Sequence, residues 1–414
     1  MIQQKQPEME AKRLSQLDII TTLPQTIIET ILCLLPIEEA ARTSILSREW
    51  RYKWTTIPKL VFLEDTIKAP SKYINRKQLS DLDVERRDKD ISCRHFYAML
   101  QVLLMRQAPI HEFNLMLTSS HTFFEVDHVI RHLLKYHMVK KLKLDFFYSG
   151  SNGLPSSVFS MHHLTDLDLQ YCDINYKPTL NGFGSLTSLS LDRVTTSRET
   201  LLHLLSYCSS LKSLYLVTYE EDFFTSERPN ITKLPNIMEL FKCLPVIEHL
   251  TTCDYVTKLF NVDSVPPGRS TSLIHLKYFC FEDLCFTDVY GLSFLAVLVK
   301  CSPNLEEIKL EIDTFDMIDV ESVKLKEYSF IFEEFSKLWL EHLHELEIKN
   351  YRHFKPLLEF VKFILARSPN LKKVILLTYR VDKNEELEML TILSHAPRAS
   401  PVVAVENRCL ENDD

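Results

Sequence analysis

A recurring Leu-x-x-Leu-x-Leu pattern constrains the fold of this 414-residue chain more than any other feature. The copies, some with other apolar residues in place of leucine, begin at Ile110, Val139, Leu164, Leu186, Leu211, Ile247, Leu276, Leu305, Leu343 and Leu371. Successive copies start 22 to 38 residues apart. A short unit that recurs at such a spacing predicts a stack of similar structural units rather than one compact domain.

Each copy of the pattern predicts a short β-strand. The last two apolar residues alternate with their neighbours, so their side chains point inward while the intervening ones face outward. Apolar residues at helical spacing precede several copies, as at 201–211, 294–305 and 360–371. One strand and one helix cannot bury their own apolar surface, so the units must stack. The sequence therefore predicts an α/β solenoid, a leucine-rich-repeat horseshoe, over residues 91–335.

Composition excludes several classes of function. The formal net charge of -8 argues against nucleic-acid binding, because phosphate binding needs surplus Lys and Arg. The 6 glycines form no phosphate-binding loop. The 10 cysteines never occur as C-x-x-C, which indicates reduced thiols of an intracellular protein, in the nucleus and/or the cytoplasm. No apolar stretch is long enough to span a membrane, and the N-terminus does not read as a signal peptide.

Residues that could carry catalysis or bind a metal do not form a site in the sequence. His128 and His132 lie four residues apart, but two imidazoles without further ligands are not a zinc site. No nucleophile elbow is present, and Cys172 occupies a position where such repeats use Asn or Cys structurally. We therefore expect no cofactor, no metal and no catalytic residue in this chain.

The N-terminal residues 18–64 predict three short helices. Pro24 occupies the start of the first helix, and Pro36 ends it. Ser47 is a plausible cap for the third helix, which places Trp50 and Trp54 one turn apart on one face. So small a helical unit cannot easily bury this much apolar surface, so we expect it to bind a partner.

These residues resemble an F-box. The resemblance covers Leu23-Pro24, Leu35-Pro36, Leu46-Ser47-Arg48 and the two tryptophans. It implies that the helices dock onto a Skp-type adaptor, which bridges to a cullin–RING scaffold. The residues expected to contact the adaptor are Leu23, Pro24, Ile27, Ile31, Leu32, Leu35, Pro36, Leu46, Trp50 and Trp54. The alternative is that the helices only cap the open end of the solenoid.

The rest of the chain divides into a charged segment and a C-terminal module. Residues 65–90 are polar and charged, which predicts an exposed loop or linker. Residues 336–410, above all 345–377 and 392–406, resemble the FBD module of plant F-box repeat proteins. Together with 46–54, they make the chain similar to the plant F-box/FBD/leucine-rich-repeat family over nearly its whole length. Since the module begins as another repeat, it also fits a C-terminal cap that continues the solenoid.

The resemblance implies a non-catalytic subunit of an SCF-type ubiquitin ligase. The F-box would hold the adaptor while the solenoid binds a target protein for ubiquitination. Two alternatives stay open: a hormone-type receptor whose solenoid binds a small molecule, and a repeat scaffold without a ligase role.

Charge on the outward strand positions predicts what the solenoid binds. Thirty such positions over the ten copies hold five basic and ten acidic residues, and two central copies are uncharged. An acidic face repels polyphosphates and nucleic acid, and it attracts a basic protein segment. The residues expected to contact the target are Asp166, Asp168, Ser190, Tyr215, His249, Glu307 and Glu311.

Overall fold

The structure is a computed structural model that describes residues 23–63, 81–117, 123–146, 153–174, 183–218, 236–261, 273–285, 289–313, 338–351, 355–378 and 383–409. The chain forms two compact units, Met1–Gly150 and Ser151–Asp414. Helices and parallel strands alternate in both units, which confirms the predicted α/β class. The curvature of the predicted horseshoe stays a prediction.

Two short helices open the N-terminal unit, and a proline precedes each. Helix α1 spans Gln25–Leu32, and the N–H of Ile28 donates to the carbonyl of Pro24 at 3.2 Å. Helix α2 spans Ile37–Arg42 and begins directly after Pro36. Pro36 thus starts the second helix, whereas the first has already ended at Leu32. A proline at a helix start loses no intrahelical hydrogen bond, which explains both positions.

The third helix differs from the prediction. Residues Trp50–Thr55 form a 3-10 helix, and Ser47 Oγ accepts from the N–H of Trp50 at 3.4 Å, as its capping role requires. Trp50 is 4% exposed and Trp54 6%, so the protein does bury the two tryptophans that so small a helical unit was not expected to bury easily. The unit extends well beyond the three helices: Arg106, distant in sequence, donates to the carbonyl of Trp54 at 2.9 Å.

Three parallel strands and two longer helices complete this unit. They are β1 (Lys59–Leu63), α3 (Asp81–Leu104), β2 (Glu112–Met116), α4 (Phe123–Tyr136) and β3 (Lys141–Asp145). The strand order is β1-β2-β3. Helix α3 corrects the predicted loop, because residues 81–90 are helical; the preceding residues 65–80 lie outside the described ranges. β1 was not predicted, although its burial alternates as a strand requires.

The first two predicted repeats supply β2 and β3 of the N-terminal unit, and the C-terminal unit contains the strands of the other eight together with three strands that were not predicted. The strands of the C-terminal unit are β4 (Asp166–Gln170), β5 (Asp173–Ile174), β6 (Ser188–Asp192), β7 (Thr195–Thr196), β8 (Ser213–Val217), β9 (His249–Cys253), β10 (Tyr278–Leu284), β11 (Glu307–Ile312), β12 (Glu345–Lys349), β13 (Lys373–Thr378) and β14 (Ala404–Cys409). β5 and β7 pair with each other, and the remaining strands pair in parallel, each with the next along the chain.

Helices return the chain between many of these strands, which lets consecutive strands run parallel. They are α5 (Arg198–Ser206), α6 (Ile237–Lys242), α7 (Asp254–Thr257), α8 (Val289–Cys301), α9 (Lys355–Arg367) and α10 (Lys383–Ser394). Side-chain caps start two of them: Ser197 accepts from the N–H of Thr200, and Asn236 accepts from the N–H of Met238. Satisfying a free N–H in the first turn stabilises each helix start by about 1 kcal/mol.

The apolar residues of the repeats form continuous rows across the sheet. One row is fixed by strand register and consists of Leu167, Leu189, Leu214, Leu250, Phe279, Ile308, Leu346 and Val374. Every member is buried. The alternation read from the sequence is therefore confirmed in each of these strands.

Several of these strands end in the same sharp turn. Tyr171, Arg193 and Asn350 directly follow their strands with φ between 52° and 57°, and Asp283, at the irregularity within β10, has a φ of 51°. The N–H of Arg193 then donates to the carbonyl of Val217 on the next strand at 2.8 Å. Cys172, in the turn after β4, is buried, and burial raises the pKa of its thiol, so its predicted structural role fits.

A pair of substitutions in β6 tests this register. Leu189→Ala removes a buried side chain that lies between Leu167 and Leu214, so we expect the free energy of unfolding to fall by roughly 2–5 kcal/mol. Ser190→Ala changes a residue on the outward face and should lower it by less than about 0.5 kcal/mol. Chemical denaturation of both variants measures the difference. Equal losses would mean that the inward and outward residues are misassigned.

Candidate protein-binding surfaces

Large apolar side chains are exposed on one face of α1. Ile27 and Ile31 lie one turn apart on the helix, Leu34 lies in the turn that follows Leu32, and all three are exposed, Leu34 at 81%. Ile28 and Leu32, on the other face, are buried. The helix is therefore apolar on both faces, and only one face is covered by the N-terminal unit. An apolar stripe of this kind marks a site of contact with another protein.

Two further apolar side chains are exposed after α2. Ile45 is 86% exposed and Leu46 65% exposed, in and beside the 3-10 turn Thr43–Ile45. With Ile27, Ile31 and Leu34, they form what we call the apolar contact set. Burying one such side chain is worth about 1.5–3 kcal/mol, so five exposed together are unfavourable unless a partner covers them.

The sequence identified this contact set only in part. Pro24, Ile27, Ile31 and Leu46 are exposed, as expected of contact residues, while Leu23, Leu35 and Pro36 are half-buried. Leu32, Trp50 and Trp54 are buried and can support the surface only from beneath. Leu34 and Ile45 were missed. Leu34 follows Ile27 by seven residues, so the helical spacing of the apolar residues could have identified it. Ile45 is the neighbour of Leu46, and because two adjacent apolar residues cannot both point inward, this pair indicated an exposed side chain.

In the C-terminal unit, strand register brings the predicted target-binding residues into two rows. Asp166, His249 and Glu307 share the first row, linked through Ser188, Ser213 and Tyr278. Asp168, Ser190 and Tyr215 are direct neighbours in the second row. Glu311 belongs to neither row, and it pairs with Lys349 on the neighbouring strand β12. We call these outward positions the strand face.

Aromatic side chains lie at the middle of the strand face. The rings of His249 and Tyr278 are 5.9 Å apart, and the ammonium of Lys309 lies 5.7 Å from the Tyr278 ring centre. The hydroxyl of Tyr215 donates to Glu282 Oε2 at 3.2 Å. Rigid aromatic groups beside carboxylates offer both contact area and hydrogen bonds to a bound segment.

Lysines balance part of the acidic charge on the strand face. Lys309 lies 3.2 Å from Glu307 and 3.9 Å from Glu347. Lys349 lies 3.7 Å from Glu311. Glu307 and Glu311, both predicted to contact the target, are therefore already paired within the protein. Such pairs near the surface contribute little to stability, so an incoming cation can compete for their carboxylates.

Acidic side chains cluster at the end of β10, where Arg193 is a nearby cation. Burial raises the pKa of the Glu282 carboxyl, and the charges of Glu311, Asp283 and Asp192 raise it further against the hydrogen bond from Tyr215. Burial also raises the pKa of Asp283, as do the charges of Glu311 and Asp313, whereas Arg193 lowers it. Carboxylates that repel one another are stabilised by any cation that comes between them.

Four positions counted as outward in the sequence are buried, and one of them, Ile375, lies in the middle of β13. Asp145 in β3, Val217 in β8 and Cys253 in β9 each end their strand and are covered. The N–H of Thr218 donates to Cys253 Sγ at 3.4 Å, which shows how the turn after one strand covers the end of the next. The expected count of acidic outward residues therefore falls by one, Asp145.

Within the described ranges, no group of three or more His, Cys, Asp or Glu side chains is arranged to hold a metal ion. None of the helices in the described part of the chain has both the length and the apolar character needed to cross a bilayer.

Three family models match the chain in order. The model described as F-box domain matches residues 20–62. The model described as FBD-associated F-box protein At5g56370, LRR repeats, matches residues 126–234. The model described as FBD matches residues 338–376, which span β12, α9 and part of β13.

Similar proteins occur in Arabidopsis thaliana. F-box/FBD/LRR-repeat protein At1g13570 is 28% identical over 93% of this chain and 97% of its own length. FBD-associated F-box protein At4g10400 is 24% identical over 91% of this chain and 81% of its own length. F-box/FBD/LRR-repeat protein At3g26920 is 21% identical over 94% and 95%, respectively. The similarity thus extends over all three matched regions.

The raised pKa of Glu282 gives a prediction for stability. When folding raises the pKa of a carboxyl, its ionised form destabilises the folded state, and this loss is complete at a pH above the folded-state pKa. At a pH below the pKa of the unfolded chain, the carboxyl is protonated in both states and the loss disappears. Glu282→Gln should therefore raise the melting temperature at pH 7, and the gain should vanish as the pH falls to about 4. The glutamine oxygen can still accept from Tyr215.

Glu248→Gln is the matched control in the same unit. Lys212 lowers the pKa of the Glu248 carboxyl through a 2.8 Å contact, so this carboxylate stabilises the folded state at neutral pH. Its replacement should lower the melting temperature at pH 7 or leave it unchanged. A lower melting temperature for Glu282→Gln at pH 7 would show that the cluster at β10 is not repulsive.

Proposed function

Because the chain belongs to the plant F-box/FBD/LRR-repeat family, we propose that it is the substrate-recognition subunit of an SCF-type cullin–RING ubiquitin ligase. In this role the N-terminal helices bind a Skp-type adaptor and the strand face binds a target protein. The chain itself transfers nothing. It contributes proximity, since tethering the target converts a bimolecular transfer into an effectively intramolecular one. The role requires an intracellular location, in the nucleus or the cytoplasm.

The exposed apolar contact set is the observation that carries this proposal. Ile27, Ile31, Leu34, Ile45 and Leu46 all lie within the residues that match the F-box model. A module that served only as an end cap would have no reason to leave its apolar side chains in water. Their exposure beside a well-packed core fits a preformed interface for one stable partner.

A charge placed in the contact set tests adaptor binding. Ile31→Glu puts a carboxylate on the exposed face of α1, and truncating a buried anchor alone weakens binding by about 2 kcal/mol. We therefore expect the Kd for a purified Skp-type adaptor to rise by about 30-fold or more. Calorimetric titration of the full chain measures the change.

Gln101→Glu is the matched control, because Gln101 is an exposed polar residue of α3, outside the contact set. We expect its affinity for the adaptor to stay within a few-fold of wild type. Wild-type affinity in both variants would reject the assignment of the contact set. Circular dichroism of Ile31→Glu should match wild type, since Ile28 and Leu32 keep the buried face intact.

The strand face supports target binding through a basic protein segment. Carboxylates at Asp166 and Asp168 flank one side of the neutral centre, and Glu282 and Asp283 flank the other. Such a field attracts Lys and Arg side chains and repels polyphosphates. This favours a protein target over the receptor alternative, in which a phosphorylated ligand would need a basic surface.

Charge reversal on the strand face tests the class of target. Affinity purification of the full chain with the proteasome inhibited identifies the target, whose association rate is then measured at rising salt. We expect the rate to fall with salt, and Asp166→Lys with Asp168→Lys to slow association by about tenfold at low salt.

The control reverses the same number of charges elsewhere in the unit. Glu239 in α6 and Glu359 in α9 are exposed and lie on helices rather than on the strand face. Replacing both with lysine should leave the rate within about twofold of wild type. Equal slowing in the two double variants, or a target that docks through an acidic segment, would refute a basic target.

A further inference from the structure

A pocket of about 510 Å³ lies in the N-terminal unit where α3 and α4 end. Its polar lining consists of Arg106, Gln107, His132, Tyr136 and His137, and the rest of its lining is apolar. No acidic residue of the described chain lines it. The pocket belongs to neither the contact set nor the strand face. Its lining therefore consists of hydrogen-bond donors and apolar groups without a carboxylate, and Glu29, outside the lining, is the acidic residue whose charge acts on Arg106.

Arg106 brings a fixed positive charge to this pocket. One Nη of its guanidinium donates to the carbonyl of Trp54 at 2.9 Å, and the other donates to the carbonyl of Ile57. These two bonds hold the side chain in place. Its Nε–H is buried and has no acceptor among the described residues. Burial lowers the pKa of Arg106 to about 10, so the guanidinium keeps its charge at neutral pH.

His137 adds a second buried donor. Its Nδ1 accepts from the N–H of Ile110 at 3.3 Å, so the neutral ring carries its proton on Nε2. Nε2 is buried and likewise meets no acceptor in the described part of the chain. Burial, His132 and Arg106 together lower the pKa of His137 to about 4, so the ring is neutral at pH 7. Two N–H groups at one pocket thus lack an acceptor.

Aromatic and apolar side chains surround these donors. The ring of His132 lies 5.7 Å from that of His137 and 4.8 Å from that of Tyr136. Leu104 is 76% exposed and Tyr136 58% exposed, so both are open to contact from outside. Arg and Tyr beside an exposed apolar rim are the residues that carry most binding energy in protein interfaces.

We propose that this pocket binds an acidic side chain of a partner protein, with apolar neighbours of that side chain resting on Leu104 and Tyr136. A carboxylate that displaces the groups covering Arg106 Nε–H and His137 Nε2–H supplies the acceptors they lack, and hydrogen bonds to a charged group are about twice as strong as neutral ones. The charge of Arg106 and the absence of lining carboxylates match an anion. A water molecule could satisfy the same donors, but it would bring no preference for a charged ligand.

A peptide array with paired members tests this proposal. Each immobilised peptide that contains one Glu among apolar residues has a twin with Gln in its place, and the full-length protein is the probe. We expect the best Glu members to bind wild type at least about tenfold more tightly than their twins. On adding such a peptide in solution, the Nε–H resonance of Arg106 should shift.

Gln107→Glu is the decisive variant. Gln107 lines the pocket and its side chain is exposed, so the change supplies an internal carboxylate without removing any packing. It should abolish the preference for Glu over Gln, and the protein should melt no lower than wild type. Gln101→Glu, an equal change on an exposed position of α3 outside the pocket, should keep the preference.

Three results would overturn the proposal. The first is an array in which no Glu member binds wild type better than its Gln twin. The second is a preference for Glu that survives unchanged in Gln107→Glu. The third is a bound peptide that leaves the Arg106 resonance unmoved. Adaptor binding by Gln107→Glu should equal that of wild type, which separates this site from the proposed ligase role.

Discussion

In-register burial of one apolar residue from every repeat is the constraint on which the rest of the C-terminal unit depends. Leu189 is buried between Leu167 and Leu214, and the same relation continues strand by strand to Val374. A slip of one residue in any strand would expose its whole apolar set. Because the inward rows fix the register, the outward residues are fixed as well. The order of residues across the strand face therefore follows from the register of the core beneath it.

The N-terminal unit uses its apolar residues differently. Ile28, Leu32, Trp50 and Trp54 form its interior, and the exposed face of α1 remains uncovered. The C-terminal unit instead concentrates repulsive carboxylates at the end of β10. Each surface holds groups that would be more stable covered or neutralised. Binding a partner removes that unfavourable free energy, which fits the separate roles proposed for the two units.

Sequence periodicity predicted the repeats well because burial there depends on neighbours at fixed spacing. It failed where burial depends on residues distant in the chain. Trp54 is covered in a unit where Arg106 bonds its carbonyl, and no local pattern contains that contact. Asp145 is buried although its position in the repeat is outward. The start of α3 was missed because its charged residues were interpreted as a loop. A charged segment can also form a helix that is exposed to solvent, and residues 81–90 of α3 are both charged in sequence and helical.

Amide hydrogen exchange of the full chain, with and without a purified Skp-type adaptor, tests the proposed role most directly. Binding through the contact set should slow exchange across Gln25–Leu32 and Ile37–Arg42. Exchange across Asp166–Gln170 and Ser188–Asp192 should stay unchanged, leaving the strand face free for a target. Unchanged exchange in the two N-terminal helices, or slowing confined to the strands, would contradict an F-box that holds the adaptor while the repeats receive the target.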